Sequence, residues 1–257
     1  MRKLNTDFFG VMLLMAVLLA LNGGINFKDP EVLLRILIVG IIVLVIILYI
    51  YFEILPVAFL KLGRMTFNSE GDLEQYEAAI EAFFNHRHPK EKEYVGWLYR
   101  SELELYNGNY LDALDTLVNI EKKDLQYDRQ TEIKTALLKC KIMMFLKNLH
   151  PDNVSWQFLK GKTSSFDAED AHDFTLISCR LNPDKSERTV REMLVKLEAE
   201  VKASPNAERY RRYNEFLWLH GLQARKNNDE EEIIRVHNQL IINHAMKYLM
   251  SSFKSEL

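Results

Sequence analysis

The chain has 257 residues, of which 48% are hydrophobic, and its 33 basic and 36 acidic side chains give a formal net charge of −3. This near balance argues against a nucleic-acid-binding domain, which usually shows a strong basic excess. The two cysteines, Cys140 and Cys179, have no paired spacing. A disulfide framework or a zinc site is therefore not expected. Both cysteines are predicted to be buried thiols in a reducing compartment.

Residues 1–60 are predicted to form a membrane anchor with two transmembrane helices, at about 8–27 and 32–55. The first stretch has no charged residue, and the second contains an uncharged apolar run from Ile36 to Phe52. A spanning helix needs about 20 apolar residues to cross about 30 Å of hydrocarbon, and the second stretch meets this length most clearly if its helix continues beyond Glu53. Neither has an ionisable residue near its middle, which favours an anchor over an ion pathway.

The two predicted spans differ in strength. The second begins well, because Asp29-Pro30-Glu31 supplies a helix cap, a first-turn proline and an acid at the positive end of the dipole. The first ends in Asn22-Gly23-Gly24 and is either short or partly interfacial. A cleaved signal peptide is the alternative for the first stretch, although it lacks a good small-residue cleavage site.

A hairpin of two spans returns the chain to the side of the membrane on which it starts. Basic residues flank both spans at each end, so their distribution does not by itself choose a side. The hairpin and the lack of paired cysteines favour an integral membrane protein with both termini in the cytoplasm. The short charged tail and compact hairpin are typical of a bacterial plasma membrane, which is the expected location.

Residues 61–257 are predicted to be an all-α domain. Apolar residues recur at spacings of three and four, and no segment alternates like a strand. Short breaks with turn chemistry separate the helices, which favours antiparallel helix pairs in a bundle or solenoid. The predicted helices are about 71–86, 91–106, 110–122, 129–147, 151–160, 167–180, 186–203, 206–226 and 229–252.

The clearest helix-turn-helix unit lies between Tyr94 and Tyr127. It has a large aromatic residue in the first helix, small residues where the two helices cross, and a glycine turn. These repeat-defining residues are Trp97, Ser101, Gly108, Tyr110, Ala113 and Leu117. The pattern resembles the tetratricopeptide repeat (TPR), a 34-residue helix-turn-helix, although Glu104 and Leu125 depart from it.

A weaker match to the same repeat lies near the C-terminus, at Leu217, Gly221, Ala224 and Leu240. Its distance from the first unit is not a multiple of the repeat length, so the array is expected to be irregular. The apolar stretches predict an N-terminal transmembrane hairpin, and the resemblance implies that an irregular TPR-like α-solenoid of antiparallel helix pairs follows it. It also implies that a protein or peptide binds in the concave groove.

The predicted last helix, 229–252, is more apolar than an exposed terminal helix should be. One interpretation is a wide face that packs against the core. The other is a surface for a partner or for self-association, which leaves a homo-oligomer open.

No pattern in the sequence indicates catalysis. The chain lacks a Gly-rich phosphate loop, a nucleophile elbow and an acidic metal motif. His220, His237 and His244 are the nearest approach to a metal site, but packing or surface histidines are the favoured interpretation. We therefore predict a protein that is not an enzyme, with no catalytic residue, metal or other cofactor.

A partner surface is predicted from two groups of residues. Tyr99 and Tyr106 are candidates for the groove, and Arg209, Arg211 and Arg212 form a basic cluster. The default interpretation of the basic cluster is a solvated face. The alternative is docking on anionic lipid headgroups or on an acidic peptide.

The leading functional hypothesis is a membrane-anchored scaffold or adaptor whose helical-repeat domain faces the cytoplasm and binds a protein or peptide. The alternative is a regulatory or protective subunit, for example of the immunity type, that a membrane complex recognises through the transmembrane hairpin. Both hypotheses have the lipid bilayer as a second partner, and neither involves nucleic acid.

Overall fold

The computed structural model describes residues 40–41, 43–86, 93–121, 129–244 and 246–255. The chain divides into two units, Met1–Phe52 and Glu53–Leu257. The predicted first span at 8–27, and the beginning of the predicted second span, lie outside the described residues. The second unit begins earlier than residue 61, because Leu60 is already fully buried in its core.

In the first unit, residues 43–49 are helical and lead into a π-helical turn, Ile50–Ile54. The described apolar side chains here are mostly solvent-exposed; Val45, for example, is 59% exposed. Within the described residues no single helix is long and apolar enough to cross a membrane. Val43–Phe52 and Leu55–Glu70 meet the length and composition criteria only together, as a pair separated by a break.

The described part of the second unit contains helices joined by turns and no strand, which confirms the all-α prediction. Two features were not predicted: a helix before residue 71, and a break in the last helix. The helices are α1 (Leu55–Glu70), α2 (Leu73–Asn85), α3 (Glu93–Tyr106), α4 (Tyr110–Glu121), α5 (Arg129–Phe145), α6 (Val154–Lys160), α7 (Ala168–Leu181), α8 (Pro183–Ala203), α9 (Ala207–Lys226), α10 (Glu230–Ile242) and α11 (Lys247–Ser255).

Local chemistry explains where many of these helices begin. The Asp72 side chain accepts a hydrogen bond from the Gln75 amide at the start of α2, and Asp229 caps α10 in the same way. Asp167 and Asp170 form a reciprocal capping box at the start of α7. Each cap satisfies amide groups that have no partner within the helix.

The helices form two layers. The inner layer consists of α1, α3, α5, α7 and α9, each of which contacts the next in this order. Helix α9 also contacts α1, so the inner layer closes on itself. The outer helices α2, α4, α6, α8 and α10 pack beside their inner partners. The inner helices α1, α3, α5, α7 and α9 therefore surround the centre of the unit.

Close approach of paired helices depends on small residues. In the α3–α4 pair the buried Ser101 hydroxyl donates a 2.8 Å hydrogen bond to the Ala113 carbonyl oxygen. Ala113 and Leu117 are fully buried, and Gly108 makes the turn between the helices at a φ of +81°. Trp97 is half-buried and packs on Phe84 of α2, with 4.7 Å between ring centroids. The Tyr110 hydroxyl donates a hydrogen bond to the Tyr248 carbonyl oxygen.

The Gly63→Ala substitution is expected to lower the free energy of unfolding by about 1–2 kcal/mol, because overpacking of about 1–3 kcal/mol outweighs the better helix propensity of alanine. A Cβ at Gly63 would lie 2.3 Å from the Cβ of Ala79, an atom that the backbone fixes. Urea unfolding of the full chain in detergent measures the change. Gly161→Ala is the control, since the nearest atom there is 3.5 Å away. Equal unfolding midpoints for the two variants would contradict the packing argument.

The C-terminal segment is two helices rather than one, so the single predicted helix at 229–252 is wrong. Helix α10 ends at Ile242, and His244 adopts a positive φ of 51° in the turn that follows. The turn directs α11 against α3 and α9. Tyr248, Leu249 and Phe253 are fully buried there, which accounts for the apolar character of the segment.

Both cysteines are free and buried, as predicted. Burial raises the pKa of the Cys140 thiol to about 12 and that of Cys179 to about 11. Such thiols remain protonated at neutral pH and are poor nucleophiles.

Candidate binding pocket and its charged floor

A partly open cavity of about 340 Å³ lies among α1, α3, α5 and α7 of the inner layer. It combines aliphatic and aromatic walls with charged side chains from all four helices. Its lining residues are Val57, Lys61, Arg64, Tyr94, Val95, Leu98, Tyr99, Glu102, Thr131, Lys134, Leu137, Leu138, Glu169, Asp170 and Asp173.

The charged floor of the pocket is centred on Arg64 of α1. Its guanidinium group makes bidentate contacts with two carboxylates, Glu102 at 2.8 and 3.0 Å and Glu169 at 2.6 and 3.1 Å. Tyr76 and Tyr106 donate their hydroxyl hydrogens to Glu102 at 2.6 and 3.0 Å. Glu102 therefore accepts four hydrogen bonds, and its orientation is fixed by α1, α2 and α3 together.

The pKa of Glu102 reflects two opposing effects. Burial alone raises it, but the charge and hydrogen bonds of Arg64 and the hydrogen bond from Tyr76 outweigh burial and lower the pKa to about 2. The carboxylate is therefore ionised throughout the physiological range. Asp170, in the pocket wall, differs: burial raises its pKa, and the closest side-chain donor is the neutral amide of Gln130 at 2.7 Å.

Behind the floor, the ion pairs continue to the centre of the unit. The Lys141 ammonium lies 2.7 Å from Asp173 Oδ1 and 2.7 Å from Glu215 Oε1. Arg211 lies 3.3 Å from Glu169 and 3.6 Å from Glu215. The pairs thus connect the floor of the pocket to α5 and α9.

Glu215 is the most enclosed member of this network, with no solvent exposure. It accepts a 2.5 Å hydrogen bond from the Tyr248 hydroxyl of α11 and lies 2.8 Å from Nε2 of His172. Burial would raise its pKa, but the charges of Lys141 and Arg211 outweigh burial and hold the pKa well below its ordinary value. All five inner helices and α11 therefore contribute to one charge network.

One group in the network resembles a metal site in composition. Oxygen or nitrogen atoms of His172, Asp173 and Glu215 lie within 4.8 Å of one another. The Lys141 ammonium already contacts both carboxylates, and Arg211 lies beside them. A divalent ion would have to displace one cation and tolerate the other, so the geometry favours an ion-pair network over metal ligation.

The structure separates the residues that were predicted to form a partner surface. Tyr99 lines the pocket, but Tyr106 is only 2% exposed and donates to Glu102, so it lies in the core. Arg211 is likewise buried within the charge network. Arg209 binds the Ser204 carbonyl oxygen, and Arg212 pairs with Glu208. The surface prediction is therefore corrected for Tyr106 and Arg211, which solvent does not reach.

The three histidines have separate environments. His220 lies 2.6 Å from Glu232, and His237 stacks on Phe253 with 5.8 Å between centroids. His244 is exposed in the turn between α10 and α11. They do not form a metal-binding group within the described part of the chain.

The charged pocket residues were missed at the level of sequence. In the sequence Arg64 and Glu102 look like ordinary exposed charges, because these two partners lie 38 residues apart. One local signal was present in α5, where Lys141 stands between the apolar Cys140 and Ile142. A charge inside an apolar run indicates a buried ion pair, since an unpaired charge would be too costly to bury.

The chain matches no protein-family model, no curated protein and no solved structure. What the pocket can do is therefore read from its chemistry. Its acidic groups are held by cations or hydrogen-bond donors, and Lys61 is the exposed cation at the mouth. Apolar walls above a fixed charged floor are suited to binding a side chain or a small segment.

Acid is expected to destabilise the second unit most steeply between about pH 4.5 and pH 2. The pKa of folded Glu102 is about 2, below its usual 4.5, so its contribution is complete above about pH 4.5 and is lost as the pH falls toward 2. The contribution is about 3 kcal/mol. Glu215 acts in the same direction, and Asp170, whose pKa is raised, opposes both.

Urea unfolding at pH 7, 5 and 3 measures this dependence. The Glu102→Gln variant is the control, because it removes the titrating group and should flatten the decrease below pH 4.5. A free energy of unfolding that does not change between pH 7 and pH 3 would contradict the assignment.

Proposed function

We propose that the protein is a membrane-anchored scaffold, and that its TPR-like helical unit binds a segment of a protein partner in the pocket among α1, α3, α5 and α7. The observation that carries this proposal is the pocket itself. It is built by successive inner helices, and it presents apolar walls such as Val95 and Leu98 above the hydrogen-bonded Arg64–Glu102–Glu169 floor.

The alternation of inner and outer helices supports the TPR-like part of the proposal. In such arrays ligands bind on the concave side, and here the pocket is lined by α1, α3, α5 and α7, the first helices of successive pairs. The crossing of Ser101 and Ala113 and the turn at Gly108 follow the repeat pattern. The array differs from an open solenoid because α9 contacts α1.

The membrane anchor is proposed from the sequence of residues 1–60, with spans at about 8–27 and 32–55. The exposed apolar side chains of the described residues before Leu55 support it, since such a surface is unfavourable in water. We place the protein in a bacterial plasma membrane with the helical unit in the cytoplasm. A binding role, rather than catalysis, suits a pocket whose acidic groups are already engaged in ion pairs or hydrogen bonds.

A substitution that fills the pocket tests the proposal. The full chain, carrying an affinity tag, is purified from solubilised membranes, and copurifying proteins are quantified by mass spectrometry. Leu98→Trp should reduce recovery of the specific partner at least about tenfold, which corresponds to about 1.4 kcal/mol of lost binding free energy. Val195→Trp is the matched control, because Val195 is an exposed apolar residue on α8 and lies outside the pocket.

The outcomes separate the alternatives. Melting temperatures of both variants must match that of the unmodified chain, so that loss of partner is not loss of fold. Equal recovery of the same partners with Leu98→Trp and Val195→Trp would overturn pocket binding. If recovery of the partner is instead lost when residues 1–52 are replaced by an unrelated hairpin, the result supports the regulatory-subunit hypothesis.

A further inference from the structure

We infer that the pocket opens at the membrane-proximal end of the helical unit, and that its occupant is the juxtamembrane segment of another membrane protein. The inference rests on the proposed function, because it takes the N-terminal segment to be a membrane anchor. It adds the class of partner: a membrane protein that contributes an apolar side chain close to the bilayer surface.

The lining residues lie at the same end of four inner helices. The pocket uses residues 57–64 of α1, 94–102 of α3, 131–138 of α5 and 169–173 of α7. In each case these are the N-terminal parts of the helices. Successive inner helices of antiparallel pairs run in one direction, so their N-terminal parts lie together at one end of the unit.

The chain enters the helical unit at this same end. Helix α1 begins at Leu55, where the predicted second span finishes, and its pocket residues Val57 and Lys61 follow within two turns. At 1.5 Å per residue, these positions lie at most about 9 Å along the helix beyond the span. The polar layer on each side of a bilayer is about 5–7 Å thick, so the mouth of the pocket stays close to it.

The outer face of α1 agrees with this position. Leu62 and Met65 are 57% and 67% exposed, and neither lines the pocket. Lys61 is also exposed. A helix with exposed apolar residues and a lysine beside them is suited to the headgroup region, where the long lysine side chain reaches water.

The charges of the pocket favour a protein segment over a lipid headgroup. Its lining includes four carboxylates, Glu102, Glu169, Asp170 and Asp173, and a phosphate placed among them would be repelled. Arg64 is already held by two of these carboxylates, and Lys141 holds a third. The groups left to an occupant are the apolar walls and the peripheral lysines. An apolar side chain on a peptide meets these requirements.

Site-specific cross-linking in native membranes tests the inference. The photoreactive residue benzoylphenylalanine replaces Leu98 in the full chain, and Val195 in the control chain. After irradiation, mass spectrometry identifies the joined peptides. We expect an adduct that depends on the Leu98 position, and whose peptide lies within about 15 residues of a transmembrane segment of another protein.

Each other outcome has a definite meaning. An adduct with a lipid, or with a protein region far from any transmembrane segment, would overturn the inference, and the second would leave the scaffold proposal in place. Absence of any position-dependent protein adduct would overturn both.

The depth of the pocket mouth has its own measurement: a fluorophore on Lys61→Cys should be quenched by spin-labelled lipids at least threefold more than one on Val195→Cys. Equal quenching would place the pocket away from the bilayer.

Discussion

The Glu215→Ala variant is expected to lose about 3–5 kcal/mol of its free energy of unfolding, because it leaves buried cations without their counter-charge. Glu215 has no solvent exposure and lies 2.7 Å from the Lys141 ammonium and 3.6 Å from Arg211. It is also the acceptor for the Tyr248 hydroxyl, so the substitution leaves a buried donor unsatisfied. Urea unfolding of the full chain in detergent, followed by circular dichroism, measures the loss.

Two further variants separate charge from shape. Glu215→Gln keeps the volume of the side chain but removes its charge, and we expect it to lose most of the same free energy. Glu187→Ala removes a carboxylate from an exposed pair with Arg191, and such pairs contribute about 0–1 kcal/mol. A Glu215→Gln variant as stable as the Glu187→Ala control would show that the network does not need its charge.

Truncation after Asn243, which removes α11, is expected to unfold most of the helical unit. Tyr248, Leu249 and Phe253 are fully buried, and each such side chain contributes about 1.5–3 kcal/mol when it is removed from water. The sum, about 5–9 kcal/mol, is comparable with the whole stability of a typical domain. Loss of cooperative melting and rapid proteolysis of residues 53–243 are the expected observations.

A shorter truncation and a point variant control this experiment. Removal of Glu256 and Leu257 alone should leave the melting temperature unchanged. Phe253→Ala should lose about 3–5 kcal/mol, since the ring stacks on His237 and lies 4.0 Å beneath the Arg225 guanidinium. If the chain lacking α11 melts at the temperature of the intact protein, α11 is an appendage and not part of the core.

Most of the helical elements were predictable from sequence, because their signals are local. Apolar residues at spacings of three and four, together with Asn-Gly and Asn-Pro turns, are enough to place most helices to within a few residues. Helix α1 was not predicted as part of the helical unit, because its apolar start, Leu55–Leu60, continues the composition of the preceding membrane-like stretch. The pattern there does not reveal where a core begins.

The break between α10 and α11 has no strong local signal. Asn243, His244 and Ala245 contain neither proline nor glycine, and the apolar spacing continues through them. His244 adopts a positive φ because burial of Tyr248, Leu249 and Phe253 against α3 and α9 outweighs the cost of that conformation. The position of α11 is thus set by tertiary packing and not by the local sequence.

Local sequence patterns are enough to predict that this protein is helical, where most of its helices begin and end, and where small residues such as Ser101 and Ala113 let two helices approach. Those properties depend on neighbours within one or two turns. The charge network that joins Arg64, Glu102, Glu169 and Glu215 beneath the pocket becomes visible only when the helices are placed in space. Ion pairs between distant helices depend on how the inner layer closes, and no spacing along the chain encodes that closure.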